Sequence, residues 1–305
     1  MYNCYVRSRL TVLCLGILAF IAVPIVTSES VPASELAYIT DNTLYRLGET
    51  GSEEVPLPAL LKSVDPRDLS VSPNGDEVAY VCDPDTHDPN EEGVGLCSAT
   101  SSQTHLWGEA NNLLRFPAWS SDGRALAYAD VTEAGHGSIW VTDGTSQPET
   151  LCEDWCPLFR YSSVVWSPDG ETVATVAETP AGDGHPARIV LFDVETHEFD
   201  FLTEGAGIQH GPVWSPDSNE IVYSSNASGT FELWRAEVSS GEAVQLTSEP
   251  GGAANPAWSP DGEQIVFVSR EGTSHGLRAI GPDGGASQKV TAAGEASRPS
   301  FLLTD

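Results

Sequence analysis

Five short stretches of the chain are apolar at successive positions instead of alternating with polar ones. They read EVAYV (77–81), ALAYA (125–129), TVATV (172–176), EIVYS (220–224) and QIVFV (264–268). A strand with no solvated face has to be covered on both sides. Each stretch follows a version of one phrase, clearest as NPAWSPDG (255–262): a short apolar segment ending in Trp, then Ser-Pro-Asp-Gly. Proline presets φ at the first corner of a type I turn, Asp suits the second, and Gly takes the positive φ that follows. A third strand is predicted from GSIWVTD (137–143), RIVLFD (188–193) and FELWRAEV (231–238), and a fourth from FDFLT, AVQLT and SQKVT.

The phrase recurs at a fixed interval. Its Trp falls at Trp119, Trp166, Trp214 and Trp258, with Val71 in that place in a worn copy and Phe301 in a sixth. The steps of about 43 to 48 residues are the length of one four-stranded propeller blade. Two turns depart from the formula: Ser121 stands for Pro and Ser218 for Gly. The second should cost about 1 kcal/mol unless Asn219 takes the positive φ. After Phe301 no second strand follows. The missing ones stand at the other end, at ELAYIT (35–40), TLYRL (43–47) and EVPL (54–57). The expectation is an all-β chain, a six-bladed β-propeller over residues 34–305 in which N-terminal strands complete the C-terminal blade.

PAWSPDGEQIVFVS with the following LRAIGPDGG and QKVT resembles the TolB-type repeat, also called the WD40-like (PD40) β-propeller repeat. The resemblance covers the chain beyond the leader. It implies the propeller fold, and a family that includes periplasmic TolB, non-catalytic domains of prolyl-oligopeptidase-type peptidases, and oligogalacturonate lyases. The chain is expected to hold neither the extra α/β domain of TolB nor a hydrolase domain.

Charge and leader narrow the setting. The chain of 305 residues has a formal net charge of −30, and its only lysines are Lys62 and Lys289. So acidic a surface repels nucleic-acid phosphates and anionic headgroups, and suits basic protein partners. Arg7 and Arg9 precede an apolar run from Leu10 to Val26. Residues 1–28 therefore read as a signal peptide, or as an N-terminal membrane anchor. The remainder is expected in the periplasm or outside the cell, as a monomer. Cys82 with Cys97, and Cys152 with Cys156, are the economical disulfide pairs for an oxidising compartment. Asn226-Ala227-Ser228 is a glycosylation sequon where the host has the machinery.

Candidate chemistry lies in the loops, where the copies differ. Asp83, Asp85, Asp88, Asn90, Glu91 and Glu92 crowd a segment bounded by Cys82 and Cys97, an oxygen-rich set suited to calcium. His87, His136, His185 and His275 are placed in second-to-third-strand loops, and His210 in a blade-to-blade loop near the channel mouth; converging imidazoles would bind a transition metal. Trp155, Phe159 and Tyr161 are placed in another blade-to-blade loop as aromatic anchors for a partner. Gly272-Thr273-Ser274-His275-Gly276 fits the nucleophile-elbow pattern but lacks the helix that the elbow needs. No cofactor is implied beyond calcium. The reading is an exported, non-enzymatic scaffold that binds a protein or peptide. The alternatives are a metal-dependent lyase or hydrolase at the channel mouth, and a calcium-stabilised carbohydrate- or surface-binding module.

Overall fold

The structure is a computed structural model that describes residues 36–40, 43–48, 51–54, 69–74, 77–82, 95–100, 103–109, 113–132, 136–152, 159–178, 187–203, 207–271, 274–290 and 297–301. They form an all-β propeller domain of four-stranded antiparallel sheets. The N-terminal strands are β1 (Leu36–Thr40), β2 (Thr43–Gly48) and β3 (Gly51–Glu54). Five meanders follow. The first is β4 (Leu69–Val71), β5 (Val78–Cys82), β6 (Gly95–Ala99) and β7 (Thr104–Glu109). The second is β8 (Leu113–Trp119), β9 (Leu126–Val131), β10 (Gly137–Thr142) and β11 (Glu149–Thr150). The third is β12 (Arg160–Trp166), β13 (Thr172–Glu178), β14 (Arg188–Asp193) and β15 (Phe199–Phe201). The fourth is β16 (Gln209–Trp214), β17 (Glu220–Ser225), β18 (Glu232–Glu237) and β19 (Ala243–Gln245). The fifth is β20 (Ala253–Trp258), β21 (Ile265–Glu271), β22 (Ser274–Ile280) and β23 (Gln288–Lys289). The last strand, β24 (Ser297–Phe301), pairs antiparallel with β1, in the order β24-β1-β2-β3. The strand expected at EVPL lies earlier, at Gly51–Glu54, because β3 pairs with β2 from Gly48↔Gly51 onward. Proline, as at Pro56, has no N–H to give to a ladder.

The second strands behave as their unbroken apolar runs require. Ala79, Ala127, Val173, Ile221 and Ile265 are fully buried, and so are their neighbours of opposite parity Tyr80, Leu126, Ala174, Val222 and Val266. The sheets of the second, third and fourth meanders are covered on both faces by the blades beside them. Val222, Leu233 and Leu246 of the fourth meander share a core with Trp258, Ile265, Phe267 and Ile280 of the fifth. Trp214, Ile221 and Tyr223 likewise pack with Ala174, Ile189 and Leu202 of the third. Truncating one such side chain to Ala typically costs about 2–5 kcal/mol.

In the repeated turn the hub is its first serine. Ser215 Oγ donates to Asp217 Oδ1 at 2.6 Å and accepts the Glu220 N–H at 2.9 Å. Ser72, Ser120, Ser167 and Ser259 repeat the pattern toward Asn74, Asp122, Asp169 and Asp261. All five serines are buried. Each Asp also accepts the backbone N–H two residues on, as Glu263 N donates to Asp261 Oδ1 at 3.0 Å. Gly123, Gly170 and Gly262 take the positive φ, and in the fourth meander Ser218 itself does so at 62°, not Asn219. The Ser218 hydroxyl is used across the blade boundary, where it accepts the Asp169 N–H at 3.1 Å.

The first strands carry a second recurring feature. Three residues before each Trp the backbone turns left-handed: Phe116 (φ 55°), Ser163 (60°), Gly211 (55°) and Asn255 (52°). At the same places the pairing with the second strand slips by a β-bulge. A shift between Ser297 and Pro299 marks β24 in the same way. Bulges bend a strand and sharpen its twist. Two of the Trp residues then link blades: Trp119 Nε1 donates to Ser70 O at 3.1 Å, and Trp166 Nε1 to Ala118 O at 3.0 Å. The indole N–H groups of Trp214 and Trp258 are buried and find no partner among the described residues.

Candidate interaction site on the loop end

Antiparallel meanders put the second-to-third-strand loops and the blade-to-blade crossings at one end of the sheets, and the Ser-Pro-Asp-Gly turns at the other. On the loop end, the fourth meander holds its crossing and its turn together. Ile208 lies in the crossing that enters β16 and is 46% exposed. Asn226, in the turn after β17, holds that crossing: its Oδ1 accepts the Ile208 N–H at 2.7 Å, and its own N–H donates to Ile208 O at 3.3 Å. Gly207 permits the approach, since with φ +103° an added Cβ would fall 2.7 Å from Asn226 Oδ1.

His210 is exposed and lies over Phe231, ring centroids 5.3 Å apart and tilted by 32°. Partial desolvation holds the imidazole below its usual pKa, and the Glu178 carboxylate opposes that shift. Phe231 is fixed from behind. Its carbonyl accepts the Ala253 N–H at 2.8 Å, so the next crossing grips it. The following residue, Glu232, is 3% exposed. Its carboxylate accepts the Thr247 hydroxyl at 2.6 Å and the Glu249 N–H at 3.0 and 3.1 Å. A buried carboxylate satisfied in this way locks the start of β18 to the crossing toward β20. Ile208, His210 and Phe231 therefore stand as an apolar and aromatic surface on a rigid base, with Glu178 beside it.

The sequence-predicted candidates distribute differently. His210 belongs to β16 and not to a loop, because the bulge before Val213 lets pairing continue outward to Gln209↔Ser225. His275 is also within a strand, opposite Arg270 in the β21–β22 hairpin. His136 ends the β9–β10 connection, its carbonyl bonded to Thr132 N at 2.7 Å. These three imidazoles sit on three different blades, and among the described residues no three His, Cys, Asp or Glu side chains gather into a metal-holding group. Ser274 opens β22, and the chain continues there as strand. Asp83, Asp85, His87, Asp88, Asn90, Glu91 and Glu92 lie outside the described residues, as do Trp155, Cys156 and His185. The base of the acidic segment is pinned, because Cys82 and Cys97 form a buried disulfide. Cys152 is disulfide-bonded too.

Phe159 and Tyr161 do not project as anchors. Tyr161 lies inside β12, only 6% exposed, against Phe192. Burial pushes its phenol well above the usual range. Its place, five residues before the Trp, is buried in the other meanders as Leu114, Gln209 and Ala253, so the fold claims it. Phe159 packs into the same cluster, 6.0 Å from Phe201. Sequence reasoning missed Ile208, Phe231 and Glu232. Register holds a signal for the last: Ser138, Arg188 and Gly276 occupy the position that Glu232 fills.

Residues 78–302 match the TolB beta propeller domain family. Over 138 residues the chain is 30% identical to an uncharacterized protein of Agrobacterium fabrum, covering 44% of this chain and 43% of that protein. Over 129 residues it is 26% identical to the Tol-Pal system protein TolB of Ruthia magnifica subsp. Calyptogena magnifica, covering 41% of this chain and 29% of that one. The matched segments thus span less than half of these relatives' own lengths. The solved structure of TolB from Acinetobacter baumannii superposes with a TM-score of 0.65 at 19% identity, over 90% of this chain and 67% of that one. At that identity the likeness speaks for the fold.

Proposed function

The chain belongs to the TolB beta propeller domain family, and from that premise we propose that it is an exported, non-enzymatic scaffold that binds a protein or peptide on its loop end. The propeller is a ring of six blades over residues 34–305, the sixth completed by β1–β3 and β24, and it acts as a monomer behind a leader at 1–28. The observation that carries the binding role is the Ile208–His210–Phe231 surface: the exposed Ile208 and His210 with the half-buried Phe231 on an over-determined base, which is how binding anchors are built. A net charge of −30 favours a basic partner and speeds encounter with it. The buried Cys82–Cys97 disulfide suits the periplasm or the cell exterior. TolB of the Tol-Pal system, one of the relatives, lends the reading an envelope setting.

The test is affinity capture from the exported proteins of the host, with the mature chain as bait. Ile208→Glu should abolish recovery of the partner while leaving the circular dichroism spectrum unchanged, and recovery should fall with added salt. A partner recovered equally by wild type and Ile208→Glu would move the site elsewhere. Turnover of an exported substrate by the pure chain would replace the scaffold reading with an enzymatic one.

A further inference from the structure

The outer flank of the third meander carries a group of rings that its counterparts lack. Phe159, Tyr161, Phe192, Phe199 and Phe201 follow one another with centroids 5.8 to 6.3 Å apart. With Cys152 and Val190 they line one shallow concavity. Aligned by strand register, Phe201 stands where the second, fourth and fifth meanders have Thr150, Gln245 and Lys289 and the first has Leu106. Phe199 stands where the second, fourth and fifth have Pro148, Ala243 and Ser287, three residues before the Leu or Val that follows each of these fourth strands. Phe201 has a packing explanation, because it lies opposite Val190, where two of the other meanders place Trp140 and Trp234. Phe199 packs against Phe192 and Phe201 on one side, yet it is 37% exposed on an edge strand.

The cluster already holds one guanidinium. Arg188 lies over the Phe201 ring with its Cζ 3.7 Å from the centroid. Among the described residues no cation lies over Phe199. The surroundings are anionic: Glu195, Glu198 and Asp200 are exposed along this edge, and Glu149 is exposed on the neighbouring blade, 4.0 Å from His197. We propose that Phe199 is a second docking point, distinct from the loop end, for a polypeptide segment that presents arginine. The guanidinium lies flat on the outer face of Phe199, as Arg188 lies on Phe201, drawn in by the negative field of the exposed carboxylates along this edge. Arginine is preferred to lysine because its planar, weakly hydrated group stacks on a ring where a compact ammonium stays hydrated. A second copy of this chain is a poor occupant, since each copy carries −30.

The test is an NMR titration of the full chain, with labelled phenylalanine rings, against a blocked Gly-Arg-Ser-Arg-Gly peptide and its lysine and citrulline counterparts. The Phe199 ring resonances should shift with the arginine peptide. Its affinity should fall about fivefold with the lysine peptide, and by a similar factor in Phe199→Leu, while Phe199→Tyr keeps it. Leu preserves the apolar packing without the ring face, so folding is not at issue. Equal affinity for arginine and lysine, an unchanged affinity in Phe199→Leu, an equal response to citrulline, or no shift of the Phe199 ring would each overturn the proposal.

Discussion

Ser259 has two tasks within 3 Å: its hydroxyl donates to Asp261 at 2.5 Å and accepts the Gln264 N–H at 2.9 Å. Ser259→Ala should therefore cost about 1 kcal/mol by giving up both bonds, read from the denaturation midpoint. Hydrogen bonds from the turn serines and backbone N–H groups hold Asp122, Asp217 and Asp261 below the usual carboxylate range, and Asp169 too, although partial burial works against it. A carboxylate whose folded pKa is depressed adds stability that is complete above the unfolded value near 3.8 and is lost as pH falls through the folded one. Stability of the wild type should thus decline below about pH 4, and more shallowly in Asp261→Asn. Ser218 separates strain from bonding. Ser218→Gly relieves a left-handed φ worth about 1 kcal/mol but gives up the bond from Asp169 N, so it should be nearly neutral. Ser218→Ala keeps the strain, loses the bond, and should unfold at a lower denaturant concentration than both. The turn formula was readable as Pro, Asp and Gly; the serine hub was not, because propensity rules describe corners and not a hydroxyl bonded across the turn.

At the scale of strands, the unbroken apolar runs were sufficient to place the buried second strands, and the third strands followed in register. The bulges at Phe116, Ser163, Gly211 and Asn255 escaped notice because four different residue types share one φ. A rule based on glycine sees only one of them. The bulge is also why His210 fell in a strand, whereas His136 lies in the second-to-third-strand connection where the pattern put it. Tyr161 misled for a related reason: an aromatic side chain beside a cysteine-rich crossing looks like an anchor until the register reveals a buried position. The Cys82–Cys97 bond joins adjacent strands across a sequence separation of 15. Replacing both cysteines by serine should cost about 3 kcal/mol, measured as a shift in the denaturation midpoint, with the same effect on the wild type from a reductant that reaches the bond.

Across the whole molecule the repeated residues are consumed by architecture, and what differs between copies is left for binding. Phe231 and Phe199 are each a departure of one copy from the rest, while Ile208 shares its register position with the exposed Leu113; a reading built on the repeat locates the fold readily and passes over such departures because they do not recur. The measurement that tests this division most directly is site-specific photocrosslinking in the host, with the crosslinking residue at Ile208 on the loop end and, in a parallel variant, at Glu263 on the turn end. The account predicts one discrete protein adduct from position 208, lost on adding His210→Glu, and none from position 263. Adducts from position 263 alone, or equally from both ends, would contradict it.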